Sequence, residues 1–216
     1  MIASAPTSLI PPDSFLKSLQ DKSLEKRKQA ALELQREIEG LVDEGKLSEI
    51  DAKIRSYDVC TQEEITMRRR AGLYGISVIT VALYQKRSKQ YLAQLLKPVL
   101  RCFKDKDAKV MQAACDALFN IIKIVKEAIF DDNEKFQNIF INVLDLIYVK
   151  QDGIELKDWA QSIDDLLKNL VYTALSKGYP FDLKGLIKII WERLNTTPQN
   201  EVIIVLIKWI ELLHSI

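Results

Sequence analysis

The chain has 216 residues and a formal net charge of +1, so its overall charge gives no reason to expect nucleic acid as a partner. Its hydrophobic fraction of 48% and charged fraction of 28% are those of an ordinary globular domain. The three cysteines, Cys60, Cys102 and Cys115, form no C-x-x-C motif, which excludes a disulfide-rich scaffold. We expect free thiols buried in helices and a reducing compartment.

The chain begins with a leader and a helical pair. Residues 1–13 hold three prolines and lack the basic segment and long apolar core of a signal peptide, so we expect a flexible leader. A short helix over residues 14–20 precedes a longer one that carries Ala31, Leu34 and Ile38 on one face. This pair predicts a first repeat over residues 14–44.

The second repeat is expected over residues 46–86. Its first helix covers about residues 48–57, and its second carries Gly72, Gly75 and Ile79 at the offsets of the first repeat. Glycines inside a helical pattern lower helix propensity, so their presence predicts close contact with a neighbouring helix. The uncharged run over residues 71–84 is too short to span a bilayer and indicates a buried helix.

The clearest pair lies in residues 89–128, the third repeat. Its first helix covers about residues 89–103, and its second helix carries small residues at Ala113, Ala114, Cys115 and Ala117. Asp105 and Asp107 lie in the turn between the two helices. We interpret them as caps of the following helix rather than metal ligands.

The fourth and fifth repeats are expected over residues 133–177 and 181–216. Their first helices cover about residues 133–148 and 181–194, and their second helices contain Ala160 and Ile203. Turns are predicted at Asp152-Gly153, at Gly178-Tyr179-Pro180 and at residues 195–198. The apolar runs follow helical spacing, so no strand is expected, and the segments on both sides of Asp152-Gly153 follow helical patterns.

Aligned on the second helices, the repeats are regularly spaced. The residues at positions 31, 72, 114, 160 and 203 are 41, 42, 46 and 43 positions apart. HEAT and armadillo repeats have periods of about 40–47 residues. The sequence therefore predicts an all-α fold, a single α-solenoid of about five HEAT/armadillo-like repeats over residues 14–216.

No motif points to an enzyme, a cofactor or a metal site. His214 is the only histidine, and neither a phosphate-binding loop nor a dinucleotide fingerprint occurs. The acidic pairs Asp131-Asp132 and Asp164-Asp165 are interpreted as helix caps or solvated positions. Trp159, Trp191 and Trp209 lie in helical patterns, and we expect each to pack in the core or between repeats.

One local charge feature stands out. Eight basic residues and only two acidic ones lie between residues 86 and 109, a local charge of +6. This basic stretch is either one solvated helix face with its turns or a patch for an anionic membrane or an acidic partner. Its basic members are Lys86, Arg87, Lys89, Lys97, Arg101, Lys104, Lys106 and Lys109. Arg68, Arg69 and Arg70 could extend the patch or serve intramolecular contacts.

Two surfaces are predicted to meet partners. In the second helix of the third repeat, Asp116, Asn120 and Lys123 alternate with the buried residues, so we expect them on the exposed inner wall of the solenoid. The last helix, residues 202–213, is almost wholly apolar and lacks the polar outer face that normally closes a solenoid. Either the natural chain continues there or this end supports self-association.

Several strings, taken in order, resemble the N-terminal HEAT region of the vacuole-morphology scaffold family. That family supplies the adaptor subunit of the PIKfyve-type phosphatidylinositol 3-phosphate 5-kinase complex. The resemblance covers about residues 15–213. The strings lie within residues 21–31, 69–75, 91–103, 114–121, 164–168 and 181–183.

The resemblance implies a non-enzymatic scaffold in the cytoplasm, peripheral on endosomal and vacuolar membranes. It implies binding to the lipid kinase, and possible binding to the opposing lipid phosphatase, in control of phosphatidylinositol 3,5-bisphosphate. Two alternatives stay open. One is a general HEAT-repeat trafficking or transport adaptor, and the other is a direct binder of anionic lipid or nucleic acid through the basic stretch.

Overall fold

The structure, a computed structural model, describes residues 10–147, 149–151 and 154–215, without the side chains of residues 84–86, 88, 150 and 151. Within these ranges the chain is almost wholly helical, which confirms the all-α prediction. A short 3₁₀ helix, Lys126–Asp131, separates the fifth and sixth α-helices. The α-helices are α1 Asp13–Ser18, α2 Leu24–Asp43, α3 Leu47–Cys60, α4 Thr66–Cys102, α5 Ala108–Val125, α6 Asn133–Leu146, α7 Lys157–Ser176, α8 Leu183–Thr196 and α9 Asn200–His214.

The chain forms two compact units, one ending at Ile124 and the other beginning at Val125. In the first unit, α2 and α3 both pack against α4, and α1 contacts α2 and α4. The apolar residues Leu34, Ile38, Ile54 and Ile76 are at most 1% exposed in its core. The predicted single solenoid over residues 14–216 stays a prediction.

Helix α4 differs from the sequence prediction. A separate helix was expected to begin near Lys89, but α4 continues without a break from Thr66 to Cys102. Between Gly75 and Pro98 the chain has neither glycine nor proline, so nothing in the backbone chemistry ends the helix there. The second helix of repeat two and the first helix of repeat three are therefore one element.

Close helix contact at the two glycines of α4 is confirmed. A Cβ atom at Gly75 would lie 2.1 Å from Tyr57 Cδ1, and one at Gly72 would lie 2.8 Å from the Tyr57 carbonyl oxygen. Both distances are too short for a real side chain. The glycines therefore let α3 approach α4 more closely than any other residue would allow.

The second unit is built around aromatic side chains. The rings of Phe130, Phe136 and Phe181 meet edge to face, with centroids 5.0–5.3 Å apart. Phe140 packs in the same way against Trp209, which is fully buried as predicted. Trp191 corrects the prediction, since it is 68% exposed. It lies on the face of α8 opposite Ile189 and Ile190, which are buried.

Asp164 also corrects the prediction. It was interpreted as a cap or a solvated position, but its side chain is fully buried. It lies on the apolar face of α7 with Ala160 and Leu167. There its Oδ1 accepts a hydrogen bond of 2.6 Å from Trp209 Nε1, and Lys168 pairs with its other oxygen. The indole and the ammonium make burial of this carboxylate tolerable.

A small β-ladder corrects the expectation of no strand. Strands β1 Lys150–Gln151 and β2 Ile154–Glu155 pair antiparallel, with Lys150 opposite Glu155 and Gln151 opposite Ile154. The Asp152-Gly153 turn predicted between them lies outside the described residues. With two residues on each side, the ladder is too short to produce an alternating pattern that sequence analysis could recognise.

The turn predicted at residues 178–180 and the predicted capping role of Asp107 are confirmed, whereas Asn195 and Thr196, predicted to lie in a turn, belong to α8. Asp107 accepts a hydrogen bond of 2.9 Å from the Lys109 amide at the start of α5, and Asp21 accepts one of 2.9 Å from the Ser23 amide before α2. Asp132 caps α6 through the Lys135 amide. Gly178, with a φ of +67°, lies between α7 and α8.

The repeat period is visible in the hydrogen bonds within each unit. In the first unit, Thr66 bonds Asp107 across 41 positions and Asn120 bonds Ser77 across 43. In the second, Trp209 bonds Asp164 across 45 positions. These separations match the spacing of 41–46 residues between the anchors in the sequence. Side chains about one repeat apart therefore join the second repeat to the third and the fourth to the fifth, as a helical repeat requires.

Candidate binding surface

The first unit carries a cleft between the second helices of its first two repeats. Its volume is about 440 Å³, and we call it the basic cleft. The end of α1, one face of α2 and the first turns of α4 form its walls. The lining residues are Leu19, Gln20, Arg27, Lys28, Ala31, Arg70, Tyr74, Ser77 and Val78.

Three cations and no carboxylate line this cleft within the described part of the chain. Arg27 is anchored, because its Nη1 donates to the carbonyls of Asp21 and Lys22 at 2.7 and 3.1 Å. Lys28, one position on, is exposed. Arg70 reaches in from α4, with its guanidinium 5.8 Å from the Tyr74 ring centroid and a hydrogen bond of 3.2 Å to the Tyr74 hydroxyl.

Two buried polar atoms of cleft residues have no hydrogen-bond partner among the described residues. They are Gln20 Oε1, an acceptor, and Arg70 Nε, a donor. The amide nitrogen of Gln20 donates to the Met67 carbonyl, so the amide oxygen is the free end. An unpaired buried polar atom costs about 1–3 kcal/mol, so a partner that satisfied these two would bind with a gain.

Arg68 and Arg69, predicted as partner-binding residues, make intramolecular contacts. Arg69 is 5% exposed and forms a bidentate pair with Asp105 at 2.8 and 3.0 Å. Its Nη1 donates to the carbonyls of Glu63 and Glu64. Arg68 pairs with Asp13 at 2.8 Å. Of the three arginines, only Arg70 lines the cleft.

The predicted wall on α5 is only partly exposed. Asp116 and Lys123 are exposed, and the Lys123 ammonium lies 5.8 Å from the Phe119 ring centroid. Asn120 is half-buried and donates a hydrogen bond of 2.9 Å to Ser77 Oγ. Asn120 therefore holds α5 against α4, and the Ser77 that it holds lines the basic cleft.

Part of the basic stretch follows one face of α4. Lys89, Lys97 and Arg101 are eight and four positions apart, which places them on the same side of this helix, whereas Lys104 lies in the turn after it. Arg101 is paired with Asp58 of α3 and bonds Thr61. That pair is invisible to a local charge count, because its acid lies 43 positions earlier.

The side chains of the basic stretch differ in their exposure to solvent. Lys97, Lys104, Lys106 and Lys109 are exposed, and Arg87 is half-buried. The side chain of Lys86 lies outside the described residues.

The cysteines are buried thiols, as the sequence predicts. Burial raises the pKa of Cys60 and of Cys102 to about 11, and that of Cys115 to about 12. At neutral pH these thiols stay protonated and poorly nucleophilic. They pack as small apolar side chains.

Sequence analysis did not predict the basic cleft. Arg27 and Arg70 are 43 positions apart, about one repeat, although they are two positions off the 41-residue offset between Ala31 and Gly72. Comparing basic residues about one repeat apart would have brought these two arginines together. Counting charge along the chain found the stretch at residues 86–109 instead.

The described residues contain no group of three or more histidine, cysteine, aspartate or glutamate side chains placed to hold a metal ion. None of their helices is long and apolar enough to cross a membrane.

A family profile described as the vacuolar 14 Fab1-binding region matches residues 67–169. The Protein VAC14 homolog of Arabidopsis thaliana is 32% identical over 209 residues, which are 95% of this chain and 26% of that protein. The vacuole morphology and inheritance protein 14 of Saccharomyces cerevisiae is 37% identical over 162 residues, 73% of this chain and 18% of that protein. The chain thus spans about a quarter or less of these relatives.

Among solved structures, a designed armadillo repeat protein matches with a TM-score of 0.37 and 13% identity, over 93% of this chain and 98% of that one. The repeat assignment rests on this chain's own helices and period. These two relatives are members of the family that the ordered strings of the sequence resemble. The chain belongs to the family of these vacuole-morphology proteins.

Proposed function

We propose that this chain is a scaffold that binds a phosphatidylinositol 3-phosphate 5-kinase and has no catalytic role of its own. The observation that carries the proposal is the match of residues 67–169 to a profile described as Fab1-binding. In this chain that range includes most of α4 and all of α5. These two helices carry the inter-repeat contacts and the exposed residues of the predicted wall.

The architecture suits a scaffold. Stacked repeats present rows of side chains from successive second helices, and a partner can contact many of them at once. On α5 the exposed residues of the predicted wall are Asp116 and Lys123. On the neighbouring helix α4, several residues line the basic cleft. The kinase would contact this wall over several repeats rather than at one pocket.

The finer parts of the proposal come from the family resemblance. By binding the kinase, the chain would help control phosphatidylinositol 3,5-bisphosphate on endosomal and vacuolar membranes, as a peripheral protein held there by its partners. The opposing lipid phosphatase is a further expected partner. The printed name of the yeast relative, which refers to vacuole morphology and inheritance, supports a vacuolar site of action.

Charge reversal on α5 tests the contact surface. We expect Asp116→Lys with Lys123→Glu to reduce co-purification of the kinase while the thermal unfolding curve stays unchanged, since both side chains are exposed. Lys208→Glu is the matched control, because Lys208 is exposed on α9 and lies outside the profile match. Undiminished kinase recovery with the α5 variant would remove α5 from the contact surface.

A second candidate function is direct binding of anionic lipid. The exposure of Lys97, Lys104 and Lys109 favours it, since each lysine near an anionic surface contributes about 1 kcal/mol. Flotation with phosphatidylserine vesicles tests this candidate. Recovery in the floating fraction that is lost when these three lysines become glutamine would support it, whereas absence of flotation at low salt would exclude it.

A further inference from the structure

We propose that the basic cleft binds an acidic peptide segment of a partner protein, with acidic side chains at the three cations and apolar ones on the floor. The proposal goes beyond kinase binding, because it concerns a chemical class of ligand and holds whichever protein carries the segment. It rests on four features of the cleft: its charge, its floor, its unpaired atoms and its position between two repeats.

The charge of the cleft calls for an anion. Arg27, Lys28 and Arg70 line one cavity, and no carboxylate of the described chain lines it with them. Elsewhere in the first unit, Arg69 pairs with Asp105 and Arg101 pairs with Asp58. An uncompensated cationic cleft raises the local concentration of negatively charged ligands and orients them. Carboxylates bind guanidinium groups with strong, directional hydrogen bonds.

The floor and the unpaired atoms favour a peptide over a phosphate group. Leu19, Ala31 and Val78 supply apolar surface that a highly hydrated phosphate would not cover, whereas an apolar side chain of a peptide would. Gln20 Oε1 lacks a donor and Arg70 Nε lacks an acceptor. An ionised phosphate offers only acceptors, but a peptide main chain offers both an N–H and a carbonyl.

The position of the cleft fits an extended segment. It lies between α2 and α4, and one arginine from each of the two repeats, Arg27 and Arg70, lines it. A cleft volume of about 440 Å³ falls within the range of sites that enclose a few side chains of a ligand. The peptide would therefore run across the second helices, and its acidic residues would pair with cations of successive repeats.

Fluorescence anisotropy with a labelled octapeptide of alternating glutamate and leucine tests the proposal on the full chain. We expect saturable binding that weakens as salt rises, and much weaker binding of the same peptide with glutamine in place of glutamate. Lys28→Gln and Arg70→Gln should each weaken binding about tenfold, the effect of losing one charge-assisted contact. Arg55→Gln is the matched control, since Arg55 is exposed on α3 and lies outside both the cleft and the basic stretch.

A further variant guards against effects on folding. Ala31→Glu places a negative charge on the half-buried floor without removing any hydrogen bond seen here, and it should abolish binding while the thermal unfolding curve is kept. No binding of the glutamate peptide, or equal weakening by Arg55→Gln, would overturn the proposal. It would also fail if vesicles containing phosphatidylserine, rather than the peptide, bound in a manner that depended on Lys28 and Arg70. Kinase co-purification is a separate readout and decides only the proposed function.

Discussion

At the scale of single residues, long-range pairing decides which charged side chains are available to a partner. Arg68, Arg69 and Arg70 are adjacent in sequence, yet one binds Asp13, one is buried with Asp105, and one lines the basic cleft. Sequence analysis grouped them, because it could not show that Asp105 would return to Arg69 from the next repeat. Of the three cleft cations, sequence analysis named Arg70 but missed Arg27 and Lys28 for the same reason.

Arg69→Ala should be strongly destabilising. It leaves Asp105 without its bidentate partner and removes the donor for the Glu63 and Glu64 carbonyls. Breaking a buried pair in this way costs about 3–5 kcal/mol. The neighbouring variant Arg68→Ala is the control, and because the Asp13 partner is exposed we expect about 0–1 kcal/mol. Urea unfolding measures both, and equal effects would contradict the structural role given to Arg69.

Asp164 should make stability depend on pH. Burial raises the pKa of this carboxyl above its usual value of 3.8, although Lys168 and Trp209 act in the opposite direction. Between pH 3.8 and the raised pKa, the folded state therefore holds a proton that the unfolded state has released. The carboxyl's contribution to stability is greatest below pH 3.8 and is lost as pH rises through the raised pKa.

Asp164→Asn removes this linkage. The difference in melting temperature between wild type and variant should fall as pH rises above 3.8. Asp165→Asn is the control, because Asp165 is exposed next to it on α7. A wild-type advantage that grows with pH over that range would show that pairing with Lys168 outweighs burial.

At the scale of elements, helical periodicity predicted most of the structure. The apolar spacing, the cap at Asp107 and the turn at Gly178 all depend on local chemistry, and each is confirmed. The continuity of α4 was not predicted. A repeat pattern shows where each apolar helix face begins, but it does not show whether the chain leaves the helical conformation between two such faces. The exposure of Trp191 depends on which face of α8 its neighbours cover.

Gly75→Ala tests the close approach of α3 to α4. The added methyl group would overlap the Tyr57 ring, so one helix must move, and overpacking of this kind costs about 1–3 kcal/mol. Gly40→Ala, in α2, is the control: nothing lies within 4 Å of its Cβ position, and we expect stabilisation by about 0.5–1 kcal/mol. Opposite shifts in melting temperature are predicted, and stabilisation by both would contradict the packing described.

At the scale of the whole molecule, the repeat period links sequence, structure and function. Contacts about one repeat apart hold each unit together and place Asn120, Ser77 and the cleft residues along one series of second helices. The period was predictable because each repeat carries the same apolar spacing. The pairing between repeats was not, because it depends on single polar side chains that the period alone does not specify.

The central claim, that this chain is a scaffold for a lipid kinase, is tested most directly by affinity purification of the tagged chain from its native organism, followed by mass spectrometry. We predict recovery of a phosphatidylinositol 3-phosphate 5-kinase, with the Lys208→Glu control recovering as much kinase as the wild type. Recovery of transport cargo or coat proteins without any lipid kinase would contradict the claim and favour a general trafficking adaptor.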